Sequence, residues 1–97
     1  MSEVNGKPHF TVPELIAHIR KQSDCEYFAK VATDYRGSTW QTKRRGQSAK
    51  AVTYTMEDAR VAGLAVPGSM WEKQPAAMCS ATAAKKLAAE VWSEVVL

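Results

Sequence analysis

Five basic residues and no acidic residue lie between Arg36 and Lys50, and this segment carries the strongest charge signal of the sequence. The other eight basic residues are outnumbered by ten acidic residues, so the whole net charge of +3 comes from this segment. Such a local excess favours a polyanion as partner, but it is also typical of a solvated hairpin whose cations protect a sheet edge from aggregation. Charge alone leaves both interpretations open. The five residues are Arg36, Lys43, Arg44, Arg45 and Lys50.

Aromatic residues lie close to this basic segment in the sequence. Proteins that bind single-stranded nucleic acid use cations to follow the phosphates and exposed rings on which bases stack. Trp40, Tyr54 and Trp71 could supply such rings. The alternative is that these aromatic residues belong to the core of a small domain. We favour the core for Trp71 and expect it for Trp92, whereas Trp40 fits both roles.

The sequence contains no pattern typical of a catalytic, cofactor or metal site. It has no Walker loop, no G-x-G-x-x-G motif and no G-x-S-x-G motif. The acidic pair Glu57 and Asp58 stands at the start of a predicted helix, where the helix dipole accounts for both carboxylates. Cys25 and Cys79 lack C-x-x-C spacing, and the two histidines do not complete a ligand set. We therefore expect reduced thiols, no metal, no cofactor and no enzymatic activity.

Length and composition indicate one small domain. The polar residues 1–10 predict a flexible leader, and residues 11–97 predict a single domain with a modest core. No apolar run approaches the length of a membrane span, and no signal-peptide core is found. These features argue against the secreted and membrane classes, and the cytoplasm of a bacterial host is the expected location.

The first half of the chain contains one clear helix signal and one ambiguous segment. A capping box at residues 11–14, with proline in the first turn, predicts a helix over 12–22. Residues 23–26 resemble a second capping box, which favours a helix, whereas the aromatic and β-branched residues of 27–35 favour a strand. We favour the strand, because it would give the hairpin that follows a third strand.

The second half predicts a hairpin followed by two helices. Alternating patterns place strands over 39–44 and 49–54, joined by a glycine-containing turn. Thr55 caps a short helix over 56–62 that Gly63 ends, and Pro75 starts a long amphipathic helix over about 75–95. The predicted fold is α+β, with a small antiparallel hairpin or three-stranded sheet packed against the long C-terminal helix and two shorter helices.

Residues 39–97 also contain an ordered set of motifs that resembles phage single-strand annealing proteins of the RecT type. The set consists of the basic turn 43–46, the Thr-led helix 55–64 that ends in Ala-Gly-Leu, and Trp71, Pro75, Met78 and Ala83 at the spacing of the family. The resemblance implies an α+β domain that binds single-stranded DNA in recombination and assembles into homo-oligomers.

The chain departs from the family pattern at positions where the family has a tyrosine or basic residues. Gln74 occupies the tyrosine position, Ala76 and Ala77 stand where the residues after the proline are usually basic, and Thr82 replaces an arginine. The resemblance implies that these cations hold the nucleic-acid backbone. Their replacement would remove roughly three phosphate contacts. The chain therefore resembles a shortened, divergent relative.

Two functions follow as hypotheses. In the first, the chain is a small phage-encoded, non-catalytic RecT-like protein that binds single-stranded DNA. The phosphates would be bound by Lys43, Arg44, Arg45 and Lys50, and the bases would stack on Trp40 or Trp71. Lys73, Lys85 and Lys86 are further candidates. In the second, the chain is an inhibitor that binds a host defence complex, an anti-CRISPR-like role. The apolar end at Val95, Val96 and Leu97 predicts either docking of the last turn or removal of a continuing segment, and part of this end is expected to be available for self-association or a partner protein.

Overall fold

The computed structural model describes residues 2–4, 7–9 and 11–96 and has the predicted α+β fold. A three-stranded antiparallel sheet packs against a long helix near the C-terminus, and shorter helices flank this pair. The strands are β1 (Ser2–Val4), β2 (Lys7–His9), β3 (Cys25–Thr33), β4 (Gly37–Arg44) and β5 (Lys50–Thr55). The helices are α1 (Val12–Arg20), α2 (Met56–Val61), α3 (Met70–Lys73), α4 (Pro75–Val91) and α5 (Ser93–Val96).

The central sheet has the order β3-β4-β5, so the ambiguous segment is a strand, as favoured above. Tyr27 pairs with Lys43, and Trp40 pairs with Lys30 on one side and Val52 on the other. Register shifts occur after Cys25 and after Lys30, and bulges of this kind increase the local twist of an edge strand.

One face of this sheet forms the core with α1 and α4. Phe28, Trp40, Thr42 and Tyr54 are buried on the helix side of the sheet. The facing positions of α4 include four small residues, and small side chains let a helix approach a sheet closely. The buried residues of α4 are Cys79, Ala83, Ala84, Leu87 and Ala88, and those of α1 are Leu15, Ile16 and Ile19.

Both predicted capping boxes are present. The Thr11 hydroxyl accepts a hydrogen bond from the Glu14 backbone N–H, and the Thr55 hydroxyl accepts one from that of Asp58. In each case the acidic side chain accepts a hydrogen bond from the backbone N–H of the threonine, so the box is reciprocal. These local rules explain why the starts of α1 and α2 could be predicted.

Several element bounds differ from the prediction, and helix α3 was not predicted. Helix α1 ends at Arg20 rather than at residue 22, and α2 ends at Val61 rather than at residue 62. Strands β4 and β5 begin at Gly37 and Lys50 rather than at residues 39 and 49, and β5 ends at Thr55 rather than at residue 54. The leader was predicted to be loose, and its described residues form the strand pair β1-β2. Residues 1, 5, 6 and 10 lie outside the described residues, and the flexibility of the leader stays a prediction.

The long helix was predicted to reach residue 95 but ends at Val91. The carbonyl of Val91 accepts a hydrogen bond from Arg44 Nη1 at 2.8 Å, and the N–H of Val95 donates to Trp92 instead. Trp92 has a non-helical backbone (φ −120°, ψ 36°), and its indole N–H donates to Thr42 at 3.1 Å. The tertiary contacts of Trp92 and Arg44 therefore end α4 and separate it from α5.

Candidate nucleic-acid interface

The end of the β4-β5 hairpin carries the cations that the sequence singled out, and the fold brings carboxylates to the same place. Four basic residues (43, 44, 45 and 50) meet four acidic residues (24, 26, 90 and 94) from the start of β3, the last turns of α4 and helix α5. The ion pairs are Lys43 with Glu26 at 2.8 Å, Arg44 with Asp24 at 2.8 Å and with Glu94, and Lys50 with Glu90 at 3.3 Å. A phosphate that approached this end would meet as many carboxylates as cations.

Arg44 is held by contacts within the protein. Its guanidinium lies 4.2 Å from the centre of the Trp92 ring, donates to the carbonyl of Val91 and donates twice to Asp24. The hydrogen bonds from Arg44 hold the pKa of the Asp24 carboxyl below its usual value, and those to Asp24 raise the pKa of Arg44. A residue with this many partners joins β3, β4 and the end of α4, and it has few donors left for a ligand.

The remaining predicted cations have different surroundings. Arg45 is exposed at the hairpin turn, and in the described part of the chain its side chain forms no hydrogen bond or ion pair, although its charge helps to lower the pKa of Asp24. Lys73 and Lys85 are exposed, and the Lys86 ammonium lies 5.6 Å from the centre of the Tyr54 ring. Lys73 is on α3, and Lys85 and Lys86 are neighbours on α4. The hairpin turn with Arg45 is at the other end of α4 from Lys73, so these cations do not form one group.

Trp40 and Trp71 do not present the exposed rings that stacking on bases requires. Each is only 8 % exposed. Trp40 packs against Phe28, with 5.6 Å between ring centres, and its indole N–H donates to the Ser80 hydroxyl at 3.1 Å. Trp71 packs against Tyr54 at 5.7 Å. The alternation along β4 placed Trp40 and Thr42 on one face, but only the fold shows that this face is covered by α4.

Two cations line a cleft in a different place, which we call the first cleft. It has a volume of about 590 Å³ and lies between α1, the start of α4 and the strands β3 and β4. Two cations, Arg20 and Lys30, line it, and none of the described residues in its walls is acidic. The other lining residues are Val12, Pro13, Ile16, Thr33, Trp40, Ala76, Ala77, Ser80 and Ala81.

The two cations of the first cleft differ in how they are held. Arg20 donates through Nε and Nη2 to the carbonyl of Phe28, at 3.0 and 2.7 Å, which fixes the guanidinium beside the edge strand β3. Lys30 is exposed, and within the described residues its ammonium has no hydrogen bond or ion pair. The first cleft thus combines one oriented guanidinium and one available ammonium with apolar walls.

Sequence reasoning did not select either residue. Arg20 is the last residue of α1, and Lys30 lies in the segment for which the sequence favoured both helix and strand. Lys30 pairs with Trp40, which is buried on the helix side of the sheet, so the two residues share that face. The strand assignment and the pairing of Lys30 opposite Trp40 could have drawn attention to it, because directly opposed residues share a face.

A second cleft has a volume of about 520 Å³. It lies between the β3-β4 turn, the start of α2 and helix α3. Its charges are balanced, with two arginines and two glutamates, and its floor is apolar and aromatic. The lining residues are Tyr35, Arg36, Thr55, Met56, Glu57, Arg60, Trp71, Glu72 and Pro75.

The thiols and carboxylates of the described residues offer no metal centre. Burial raises the pKa of the Cys25 and Cys79 thiols, which keeps both protonated at neutral pH, and both are free. No cluster of three or more potential ligands is found in the described ranges. The helices described here are also too short or too polar to cross a bilayer.

Comparisons of the chain with protein-family models, with curated proteins and with solved structures find no match. The resemblance to RecT-type proteins therefore stays an expectation from the sequence motifs, and the functional argument depends on the chemistry of the surface.

Proposed function

We propose that the chain is a non-catalytic, RecT-like protein that binds single-stranded nucleic acid in recombination, and that the first cleft is its main interface. The observation that carries this proposal is the presence of Arg20 and Lys30 in a cleft whose described walls contain no carboxylate. Phosphates provide most of the affinity of non-specific nucleic-acid binding, and they require cations that are not already neutralised.

The position of the first cleft supports the same proposal. Ala76 and Ala77, which stand where the RecT-type pattern has basic residues, are part of its wall. Arg20 and Lys30 therefore bring positive charge, from α1 and β3, to the place where the resemblance implies contacts with the nucleic-acid backbone. The hairpin cations Lys43, Arg45 and Lys50 stay as secondary candidates, since exposed ion pairs are weak enough to exchange partners.

The test is oligonucleotide binding measured by fluorescence anisotropy over a range of salt concentrations. We expect Lys30→Gln to weaken binding and to reduce the slope of log affinity against log salt by about 0.7, the value for one phosphate contact on a single strand. The matched comparison is Lys50→Gln, which removes one exposed lysine that is paired with Glu90 at the hairpin end, and its slope should fall by less than that of Lys30→Gln.

Two outcomes would count against the proposal. If the parent chain does not bind single-stranded oligonucleotides at low salt, nucleic-acid binding is wrong. If Lys50→Gln reduces the slope and Lys30→Gln does not, the hairpin end is the interface, as the sequence first indicated.

A second candidate function is protein binding, as in an inhibitor of a host defence complex. It is favoured by the exposed apolar side chains between α2 and α3: Val61 is 82 % exposed, and Leu64, Val66 and Met70 are also exposed. Exposed apolar patches often mark protein interfaces. The comparison of parent and Val61→Asp chains in pull-downs from bacterial lysate tests this. A protein retained only by the parent, together with no oligonucleotide binding, would favour the inhibitor.

A further inference from the structure

The second cleft presents the most exposed aromatic ring of the described chain. Tyr35 is 70 % exposed, whereas Tyr27 is 37 % exposed and the other described aromatic residues are buried. The guanidinium of Arg36 lies 5.5 Å from the centre of the Tyr35 ring. An exposed ring next to a cation is the pair of groups with which proteins bind a base and its phosphate in a single strand.

The backbone that carries Tyr35 is fixed. The Asp34 carboxylate accepts hydrogen bonds from the N–H groups of Arg36 and Gly37, at 2.8 and 3.1 Å. The carbonyl of Arg36 accepts a hydrogen bond from Met56 at 2.8 Å, which ties the turn to the start of α2. Tyr35 is thus exposed by the shape of a well-bonded turn, and little conformational entropy would be lost when a ligand stacks on it.

Lining residues of the two clefts are close together in the chain at two places. Thr33 lines the first cleft and Tyr35 the second, so their Cα atoms are at most about 7 Å apart. At the start of α4 the lining residues Ala76 and Pro75 are neighbours in the chain. Lys30 and Tyr35 are five residues apart, at most about 18 Å, so a single strand that lies against Lys30 can reach the second cleft within a few nucleotides.

The charges of the second cleft suit a base better than a phosphate. Its two arginines are balanced by Glu57 and Glu72. Glu57 is paired with Arg60, whereas no partner of the Glu72 carboxylate is found in the described part of the chain. A free carboxylate repels phosphate and accepts hydrogen bonds from exocyclic amino groups, such as N4 of cytosine.

We propose that the second cleft takes one base of the bound strand, stacked on Tyr35, and that Glu72 favours bases with an exocyclic amino group over thymine. This inference rests on the proposed function and extends it from phosphate binding to base binding. Sequence reasoning selected Trp40 and Trp71 for stacking; the structure assigns that role to a tyrosine at the tip of a turn.

The test compares labelled oligo(dC) and oligo(dT) of about twelve nucleotides, a length within the range of single-strand binding sites. Tyr35→Ala should weaken oligo(dC) binding about 5- to 150-fold, the factor expected for the loss of one stacked base, with an unchanged salt slope. Tyr35→Phe is the matched control and should bind like the parent. Glu72→Gln should reduce the preference for oligo(dC) over oligo(dT).

The outcomes separate this inference from the proposed function. If the parent binds and Lys30→Gln lowers the salt slope, but Tyr35→Ala binds within twofold of the parent, base binding in the second cleft is overturned and the first cleft stands. If Tyr35→Ala lowers the salt slope as well, Tyr35 acts by placing Arg36 on a phosphate, and stacking is overturned. A parent that binds neither oligonucleotide removes both proposals. Circular dichroism of Tyr35→Ala, an exposed substitution, verifies that the variant is folded.

Discussion

Replacement of Trp40 by alanine separates a structural role of this residue from a role in stacking on bases. Trp40 is 8 % exposed, packs on Phe28 and donates a hydrogen bond to Ser80. Loss of a buried tryptophan costs about 3–5 kcal/mol, because apolar burial is lost and a cavity remains. A domain of this size has a free energy of unfolding of about 5–15 kcal/mol, so Trp40→Ala should be strongly destabilised or unfolded.

Urea denaturation followed by circular dichroism measures this effect. With a denaturant slope of about 1–3 kcal/mol/M, the midpoint of Trp40→Ala should fall by at least about 1 M. Trp40→Phe is the matched control, because it keeps an apolar ring and removes the hydrogen bond to Ser80. It should lose less than the alanine variant.

One result would refute this reasoning about Trp40. If Trp40→Ala unfolds at the same urea concentration as the parent but binds oligonucleotide about 1–3 kcal/mol more weakly, Trp40 stacks on a base and does not stabilise the core. A lower midpoint together with full oligonucleotide affinity at low urea would confirm that Trp40 acts only through the fold.

Three further predictions concern an ion pair, a close contact and the wall of the first cleft. The hydrogen bonds from Arg44 lower the pKa of Asp24 in the folded protein, so the ionised carboxylate stabilises the fold. This stabilisation is present above the unfolded pKa of about 3.9 and is lost as pH falls through the folded pKa. Asp24→Asn should therefore unfold at lower urea than the parent at pH 5–7, and the difference should shrink below pH ~4; a constant difference would contradict this. Gly37→Ala would place a Cβ 2.9 Å from the Tyr54 carbonyl oxygen, and we expect a loss of about 1–3 kcal/mol in thermal or urea unfolding, whereas wild-type stability would show that the strand can shift freely. Ala77→Arg introduces a cation into the wall of the first cleft and should increase the salt slope of oligonucleotide binding by about 0.7; an unchanged slope would place the strand elsewhere.

The parts of the fold that depend on neighbouring residues could be predicted from the sequence. The capping boxes at Thr11 and Thr55 act within one helical turn, and the β4-β5 hairpin follows from alternation around a glycine turn. Gly46 in this turn has a φ of +83°, a value that favours glycine. The assignment of residues 25–33 as a strand needed one additional argument, the requirement of a hairpin for a third strand.

The parts that depend on distant residues could not be predicted. The acids that neutralise the hairpin cations are 17 positions away for Lys43 and Glu26, and 40 positions away for Lys50 and Glu90. The sequence segment 36–50 therefore has an excess of positive charge, but the folded surface at the hairpin end does not. The early end of α4 has the same kind of cause, because Arg44 and Thr42 of β4 bind groups at residues 91 and 92.

The net positive charge of the chain lies outside the hairpin end. The hairpin end combines four basic and four acidic residues, so the net charge of +3 belongs to the remaining nine basic and six acidic residues. Arg20 and Lys30 are two of these nine, and the fold places them in one cleft whose described lining residues include no acid. Both precede residue 39, where the resemblance to RecT-type proteins begins. The motifs of residues 39–97 point to the wall of the first cleft at Ala76 and Ala77, but the cations that could bind phosphate there come from the part of the chain that those motifs do not cover.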